Sequence, residues 1–258
     1  EIVSSFVSHE DPAALKNLGV DTITGTASFQ SPHELKVNPE KGNPQIISGD
    51  HIVIATGSHP FIPKIQGLQD VPYLSNETIF DVKKIPENLA IIGGGAIGCE
   101  LGQAFQRLGS KVSIIEFLDS LIFREEPEAQ KILSSSLQNE NLQIFLNHEA
   151  ISVQSSGESI SLSLKERSSG SESSLLVSHL LIAVGRRPNI GKLNLESAKV
   201  DYSKNGIIVD PYGRTSQKHI WAAGDVTGGE LFTHTAENHA RTILSNLLLP
   251  WPIMRKID

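Results

Sequence analysis

Cysteine is almost absent from this sequence: Cys99 is the one thiol in 258 residues. That excludes an intramolecular disulfide and any metal site built from several cysteines, so no metal is expected. It also fits a reducing compartment, and the expected location is the cytoplasm. Positive charge is in short supply as well. Lys and Arg number 22 against 29 Asp and Glu, a formal net charge of −7. Proteins that grip phosphate backbones need clustered cations, so no nucleic-acid partner is expected. No apolar run approaches the ~20 residues that cross a bilayer, and no secretory h-region opens the chain. No membrane partner is expected either. The single methionine is Met254, and the chain opens at Glu1 in mid-pattern. The sequence therefore reads as a piece of a longer protein.

What is present is ordinary for a globular chain with a real core: 39% hydrophobic and 20% charged residues. The length suits one large domain or two ordinary ones. The opening stretch Ile2–Leu18 has loosely helical apolar spacing. Val20–Phe29, Glu34–Val37 and Gln45–Ile47 then read as short strands between Pro, Gly and Asn turns. His51–Ala55 is an apolar strand running into Thr56-Gly57-Ser58, and Pro60, Pro63 and Pro72 mark an irregular connector. A second apolar strand, Leu89–Ile92, meets three glycines. Ala96–Leu108 follows as a helix with an apolar face of Ile97, Leu101, Ala104, Phe105 and Leu108, closed by Gly109. Lys111–Glu116 is strand-like, and Glu125–Asn139 reads as a helix with an acidic first turn. Leu142–Phe145, Ala150–Val153 and Ser159–Leu164 are further strands. Leu175–Val184 reads as one long apolar strand ending in Gly185. Ile207–Val209 and His219–Ala223 are strands, and His234–Leu248 a helix. Strands alternating with helices predict an α/β fold with an inserted antiparallel meander.

The run Gly93-Gly94-Gly95-Ala96-Ile97-Gly98 fits G-x-G-x-x-G between a strand and a helix. Gly93 permits the tight turn, Gly95 lets the backbone approach a pyrophosphate, and Gly98 lets the helix pack on the strand. The helix start then offers free N–H groups and a positive dipole end to phosphates. Glu116 lies 21 residues beyond Gly95 and closes the second strand of the unit. A carboxylate there accepts hydrogen bonds from ribose hydroxyls and repels a 2′-phosphate, which predicts NADH over NADPH. The competing reading of Glu116 is a solvated strand-end charge. Cys99 reads as a buried packing residue, with no partner thiol or histidine to activate it.

Three more segments join this unit in order: Ala55-Thr56-Gly57-Ser58, Gly185-Arg186-Arg187-Pro188-Asn189, and Ala222-Ala223-Gly224-Asp225. Together with the runs GGGAIGCELGQAFQRLG, EFLD and FREEPEA they resemble the pyridine nucleotide–disulfide oxidoreductases, most closely the mercuric reductase-like and dihydrolipoyl dehydrogenase-like branch. The resemblance covers essentially the whole chain. It implies a Rossmann-like NAD-binding domain (85–205) inserted into a partial FAD-binding domain, with 1–84 before it and 206–258 after it. It implies that Asp225 binds the flavin ribityl chain, that Leu231, Phe232, Thr233 and His234 lie along the isoalloxazine, and that Thr56, Gly57 and Ser58 lie near the flavin. It places Ala27 at the adenine end of FAD, Glu100 near the nicotinamide, Ala150 near its adenine, and Gly185 close to the bound nucleotide. No acid–base chemistry is assigned to His234, and no catalytic residue is expected within this chain. The family's N-terminal flavin fingerprint, paired redox cysteines and C-terminal dimerisation domain have no counterpart among these residues.

The expected parent is therefore an FAD-dependent oxidoreductase, a homodimer through that C-terminal domain. It would exchange hydride between NAD(H) and flavin and pass electrons through a disulfide to a small-molecule substrate. Two alternatives stand beside it: an inert dinucleotide-binding module, and a flavin-independent NAD dehydrogenase in which Gly57 and Asp225 only make turns.

Overall fold

The computed structural model describes residues 12–229, 231–249 and 253–257. The chain forms two compact units. One joins Glu1–Ser58 to Pro188–Asp258, and the other is the continuous stretch His59–Arg187.

In the first unit, a short helix α1 (Pro12–Asn17) precedes three antiparallel strands, β1 (Gly25–Ser31), β2 (Glu34–Pro39) and β3 (Gln45–Ser48), in that spatial order. The rest of the helix expected over 2–18 lies largely outside the described residues. Strand β4 (Ile52–Ile54) follows, and β5 (Ser58–Pro60) leaves the unit.

The second unit holds the expected βαβ core. Strand β6 (Asn88–Ile92), helix α2 (Ala96–Arg107), strand β7 (Lys111–Ile115), helix α3 (Pro127–Asn139) and strand β8 (Gln143–Phe145) alternate along the chain. The meander β9 (His148–Ser156), β10 (Ser159–Glu166) and β11 (Glu172–Val177) comes next, and β12 (His179–Ile182) returns to the parallel sheet. The parallel order is β12-β6-β7-β8, and the meander order is β11-β10-β9. Period-two alternation splits the sheet's side chains between two cores. Leu89, Ile91, Val112, Ile114 and Leu181 pack with Cys99 and Phe105 of α2 and Leu137 of α3. Ala90, Ile92, Ile115, Leu180 and Ile182 pack with Val153, Leu162 and Leu164 of the meander. Helices cover one face and the meander the other, as a parallel sheet buried on both sides requires.

Strand β13 (Arg186–Pro188) re-enters the first unit, which continues through β14 (Tyr202–Ser203), β15 (Gly206–Ile207), β16 (Ile220–Ala222) and helix α4 (Thr233–Leu248). Strand β16 pairs in parallel with β4. Its Ile220 and Ala222 join Phe29, Ile52 and Ile54 in the unit's core, while Trp221 and Ala223 pack with Ile243 of α4.

Three sequence expectations meet a different structure. The compact units divide at Ser58/His59 and Arg187/Pro188, not near residues 84 and 205. The proline-rich connector belongs to the second unit because Gln66 bridges to Ser152 and Leu74 to Leu181. Leu193, Leu195 and Val200 belong to the first because they complete its core. The single strand expected over 175–184 is broken into β11 and β12, in different sheets. Ser178 is the break: its hydroxyl donates to the Asn88 carbonyl and accepts the Asn88 N–H. Finally, α2 buries Gly98, Cys99, Gly102 and Phe105, whereas Leu108 is 61% exposed. A stripe of small residues lets the helix sit close to the sheet, and hydrophobic spacing alone does not count glycine as buried.

Candidate functional site

The glycine turn between β6 and α2 separates its glycines by what they face. Gly93 has φ +112°, and a Cβ there would overlap the Ala183 carbonyl oxygen. A Cβ on Gly94 would press on Leu121 and the Glu116 carboxylate, and one on Gly98 would overlap the Gly93 carbonyl. Protein packing demands these three. Gly95 is different: nothing lies within 4 Å of the Cβ position. It is also the N-cap of α2, and no side chain caps that end. Open space in front of uncapped N–H groups is what a pyrophosphate needs. Ala96 and Glu100 are exposed on the first turns of α2, and Ile97 is half-buried.

Glu116 follows the last residue of β7 and is half-buried. Its Oε2 accepts the Gly94 N–H at 2.6 Å, and its Oε1 accepts the Leu118 N–H at 2.8 Å. The carboxylate thus ties the glycine turn to the loop that follows β7. That loop returns over the turn, with Leu121 fully buried and the Ile122 N–H donating to the Gly94 carbonyl at 2.8 Å. Ile122 has φ +41°, a strained conformation for a β-branched residue, held by this bond and by its apolar contacts. A cavity of about 200 Å³ opens beside these groups, lined by Gly93, Glu116, Ala150 and Val184 together with Ile65 and His148. Gly185, φ +113°, follows Val184, and its carbonyl accepts the Phe61 N–H at 2.9 Å. Gly93, Glu116 and Ala150 therefore share one cavity, while Glu100 does not line it.

Cys99 is buried beneath the turn, and its S–H donates to the Gly94 carbonyl at 3.4 Å. Burial, with the negative charges of Glu116 and Glu100 behind it, pushes the thiol up to about 12. A neutral, enclosed thiol is no nucleophile.

The residues expected at the flavin all lie in the first unit. Ile54 of β4 is registered with Ala222 of β16, and the Ala223 N–H donates to the Ile54 carbonyl at 3.0 Å. The two strand ends therefore emerge together. The Ser58 hydroxyl donates to Asp225 Oδ2 at 2.5 Å. Asn189 holds the neighbouring turn: its side-chain amide donates to the Thr56 carbonyl at 2.9 Å, its N–H to the Gly57 carbonyl at 2.9 Å, and its own carbonyl accepts the Thr56 hydroxyl at 3.0 Å. Gly57, φ +66°, has open space at its Cβ position. Helix α4 starts after Phe232 with no side-chain cap. Leu231 is half-buried, while Phe232, Thr233 and His234 are exposed, and the Phe232 and His234 rings stack at 5.2 Å. The buried His239 accepts the Gly224 N–H at 3.3 Å, fixing α4 to the Gly224–Asp225 turn. Ala27 is exposed on β1, opposite Val37. Sequence reasoning missed Asn189 and His239 as site supports. Asn189 closes a motif that was visible, whereas nothing in the sequence marks His239.

Residues 6–240 match the pyridine nucleotide-disulphide oxidoreductase family. The chain belongs to that family. It is 34% identical to the mercuric reductase of Staphylococcus aureus, over 95% of this chain and 43% of that protein. It is 32% identical to the dihydrolipoyl dehydrogenase of Bacillus subtilis (strain 168), over 92% of this chain and 50% of that one. The solved structure of the HOCl-induced flavoprotein disulfide reductase RclA from Escherichia coli superposes with a TM-score of 0.86 at 29% identity, covering 98% of this chain and 56% of that one. The chain spans about half the length of the curated relatives it matches. Family membership implies FAD and a pyridine nucleotide. The residues fit both: an open glycine before an uncapped helix beside a pinned carboxylate, and a second open turn with an acidic acceptor. No helix among the described residues is long and apolar enough to cross a membrane.

Proposed function

We propose that this chain holds the nicotinamide dinucleotide of an FAD-dependent disulfide-type oxidoreductase, and that it prefers NADH to NADPH. One observation carries the reading. Glu116, fixed by two backbone N–H groups, borders a cavity that also borders the glycine turn. Each carboxylate oxygen keeps acceptor capacity beyond the bond it already makes, which suits the two hydroxyls of an adenosine ribose. A 2′-phosphate at that place would face a fixed negative charge. Gly95 and the first N–H groups of α2 hold the pyrophosphate, with Gly94, Ala96 and Ile97 shaping the turn. Ala150 and Gly185 border the nucleotide, and Glu100 stands toward its nicotinamide end.

In the first unit, Asp225 accepts hydrogen bonds from ribityl hydroxyls while Ser58 orients its carboxylate. Thr56 and Gly57 line the flavin, Leu231, Phe232, Thr233 and His234 run along its ring system, and Ala27 lies at its adenine end. When bound, the two cofactors supply hydride exchange between nicotinamide and flavin. The complete enzyme draws its redox disulfide and its homodimer contacts from residues outside this chain. It acts in the cytoplasm on a disulfide or another small substrate. The 258 residues alone bind dinucleotide without turning a substrate over.

Titration of the purified protein with NADH and NADPH tests the reading, with the visible spectrum recorded alongside. NADH is expected to bind at least about tenfold more tightly, since like-charge juxtaposition costs several kcal/mol. Equal affinities remove the role of Glu116. A yellow preparation with a flavin spectrum supports the first-unit assignments. Colourless protein that binds NADH reduces the chain to a dinucleotide module, and turnover of a hydroxy acid without flavin makes Asp225 a turn residue only.

A further inference from the structure

The residue after Glu116 is Phe117, and it is 46% exposed. A lone exposed aromatic is common on protein surfaces and by itself means little. This one differs in three ways. It borders the same cavity as Glu116 and Ala150. Its ring is covered by a guanidinium, with Arg167 Cζ 3.8 Å from the ring centroid. The same arginine also donates from Nη1 to the Phe117 carbonyl at 3.2 Å. Arg167 reaches across from the turn joining β10 and β11. It is anchored there by its own N–H, which donates to the Asn147 carbonyl at 2.8 Å. The neighbouring Glu166 carboxylate is occupied by the hydroxyls of Ser168, Ser169 and Ser171. Among the described residues Arg167 forms no ion pair, so its charge is spent on the ring and the carbonyl.

We propose that Phe117 is the stacking platform for the adenine of the bound dinucleotide, and that Arg167 is the residue that positions it. The inference rests on the dinucleotide reading above. A base is joined directly to the ribose that Glu116 reads, so it must lie beside Glu116; of the two rings on that cavity, Phe117 adjoins Glu116 and is exposed, whereas His148 is half-buried, packed edge-on against Phe145 and hydrogen-bonded to the Leu146 carbonyl. Stacking on an aromatic ring stabilises a base by ~1–3 kcal/mol. A ring already held by a guanidinium loses little further freedom when the base arrives. Arg167 touches the platform and not the reacting atoms, so it is a positioning residue.

The test is calorimetric titration with NADH, AMP and nicotinamide mononucleotide, with melting temperature as the check on folding. Phe117→Leu keeps bulk and removes the π face. It is expected to weaken AMP and NADH about tenfold, the middle of the stacking range, and to leave nicotinamide mononucleotide unchanged. Phe117→Tyr is expected to bind all three as the parent does. Arg167→Met is expected to weaken AMP about threefold, as loss of an exposed cation–π contact implies, and Arg167→Lys to recover part of that loss. Unchanged AMP and NADH affinity in a folded Phe117→Leu protein overturns the proposal and leaves the dinucleotide reading standing. Equal losses for AMP and nicotinamide mononucleotide also overturn it, because they signal general damage. A parent protein that binds neither NADH nor AMP overturns both.

Discussion

Glu116 carries a structural task beside the ribose role proposed for it. From sequence it is a ribose acceptor whose replacement by arginine should turn preference toward NADPH. In the structure it is also a staple between the glycine turn and the next loop, through Gly94 and Leu118. Glu116→Ala removes both acceptors and is expected to cost about 2 kcal/mol in urea denaturation, given ~1.5–3 kcal/mol for hydrogen bonds to charged groups and partial exposure. Glu116→Gln keeps one carbonyl oxygen and is expected to lose about half of that, while the preference for NADH narrows. Parent-like stability in Glu116→Ala would show that the staple carries no weight. Glu116→Arg is therefore expected to gain NADPH at the expense of stability. Cys99 is buried beneath the same turn. Its thiol, ordinarily near 9.0, is raised to about 12, chiefly by burial. The folded state holds the proton that the unfolded state releases, so this group's contribution to stability is whole below about 9 and falls as pH rises toward about 12. At pH 8, iodoacetamide is expected to label native protein at least about a hundredfold more slowly than urea-unfolded protein, because the thiolate is the reactive form. Comparable rates would put the thiol in solvent.

At the scale of the element, the glycines of the β6–α2 turn divide into those that packing requires and the one, Gly95, that packing leaves free. Gly98→Ala forces a methyl onto the Gly93 carbonyl and is expected to cost ~1–3 kcal/mol, as overpacking does. Gly95→Ala adds a methyl in open space at φ −75°, ψ −175°, a conformation any residue adopts. Its melting temperature is expected to stay within about 1 °C of the parent, as for an unconstrained surface change, while NADH affinity falls at least about tenfold as the methyl blocks the phosphate approach. Loss of stability without loss of binding would reverse the assignment. The same element marks the reach of sequence reasoning. The strand–turn–helix order around Gly93–Gly98 was legible because glycine and apolar periodicity are local signals. The buried face of α2 was not, because Gly102 is buried for its smallness, with Ile91 and Ile114 pressing where a Cβ would stand. Nor was the break at Ser178 legible, since an apolar run looks the same whether it serves one sheet or two. Around the candidate sites, the place of Glu116 at the end of β7 followed from spacing, but His239 gave no sign. It stands fifteen positions from the Gly224 N–H it accepts, and only the packing of α4 brings them together.

At the scale of the whole molecule, the two units differ in how the chain builds them. The first needs two separate stretches, 1–58 and 188–258, and its core draws Phe29 and Ile52 from one and Leu195 and Ile220 from the other. The second is one continuous stretch, His59–Arg187, with its own parallel sheet covered on both faces. The charged segment around Pro86 pointed to a crossing near 84, and the family resemblance to one near 205; irregular backbone is not the same as a domain boundary. The bridges from Gln66 and Leu74 into the sheet and meander make residues 59–84 structural parts of the second unit. A continuous segment with a complete core is expected to fold by itself. Excised His59–Arg187 should therefore unfold in one cooperative transition. It should bind NADH within about threefold of the whole chain, because Gly95, Glu116, Ala150 and Gly185 all lie inside it. A fragment cut to residues 85–205 should do neither, since it loses Leu68, Val71 and Ile79 from the two cores that hold the sheet. If 85–205 folds and binds while 59–187 does not, the proline-rich connector is a linker after all.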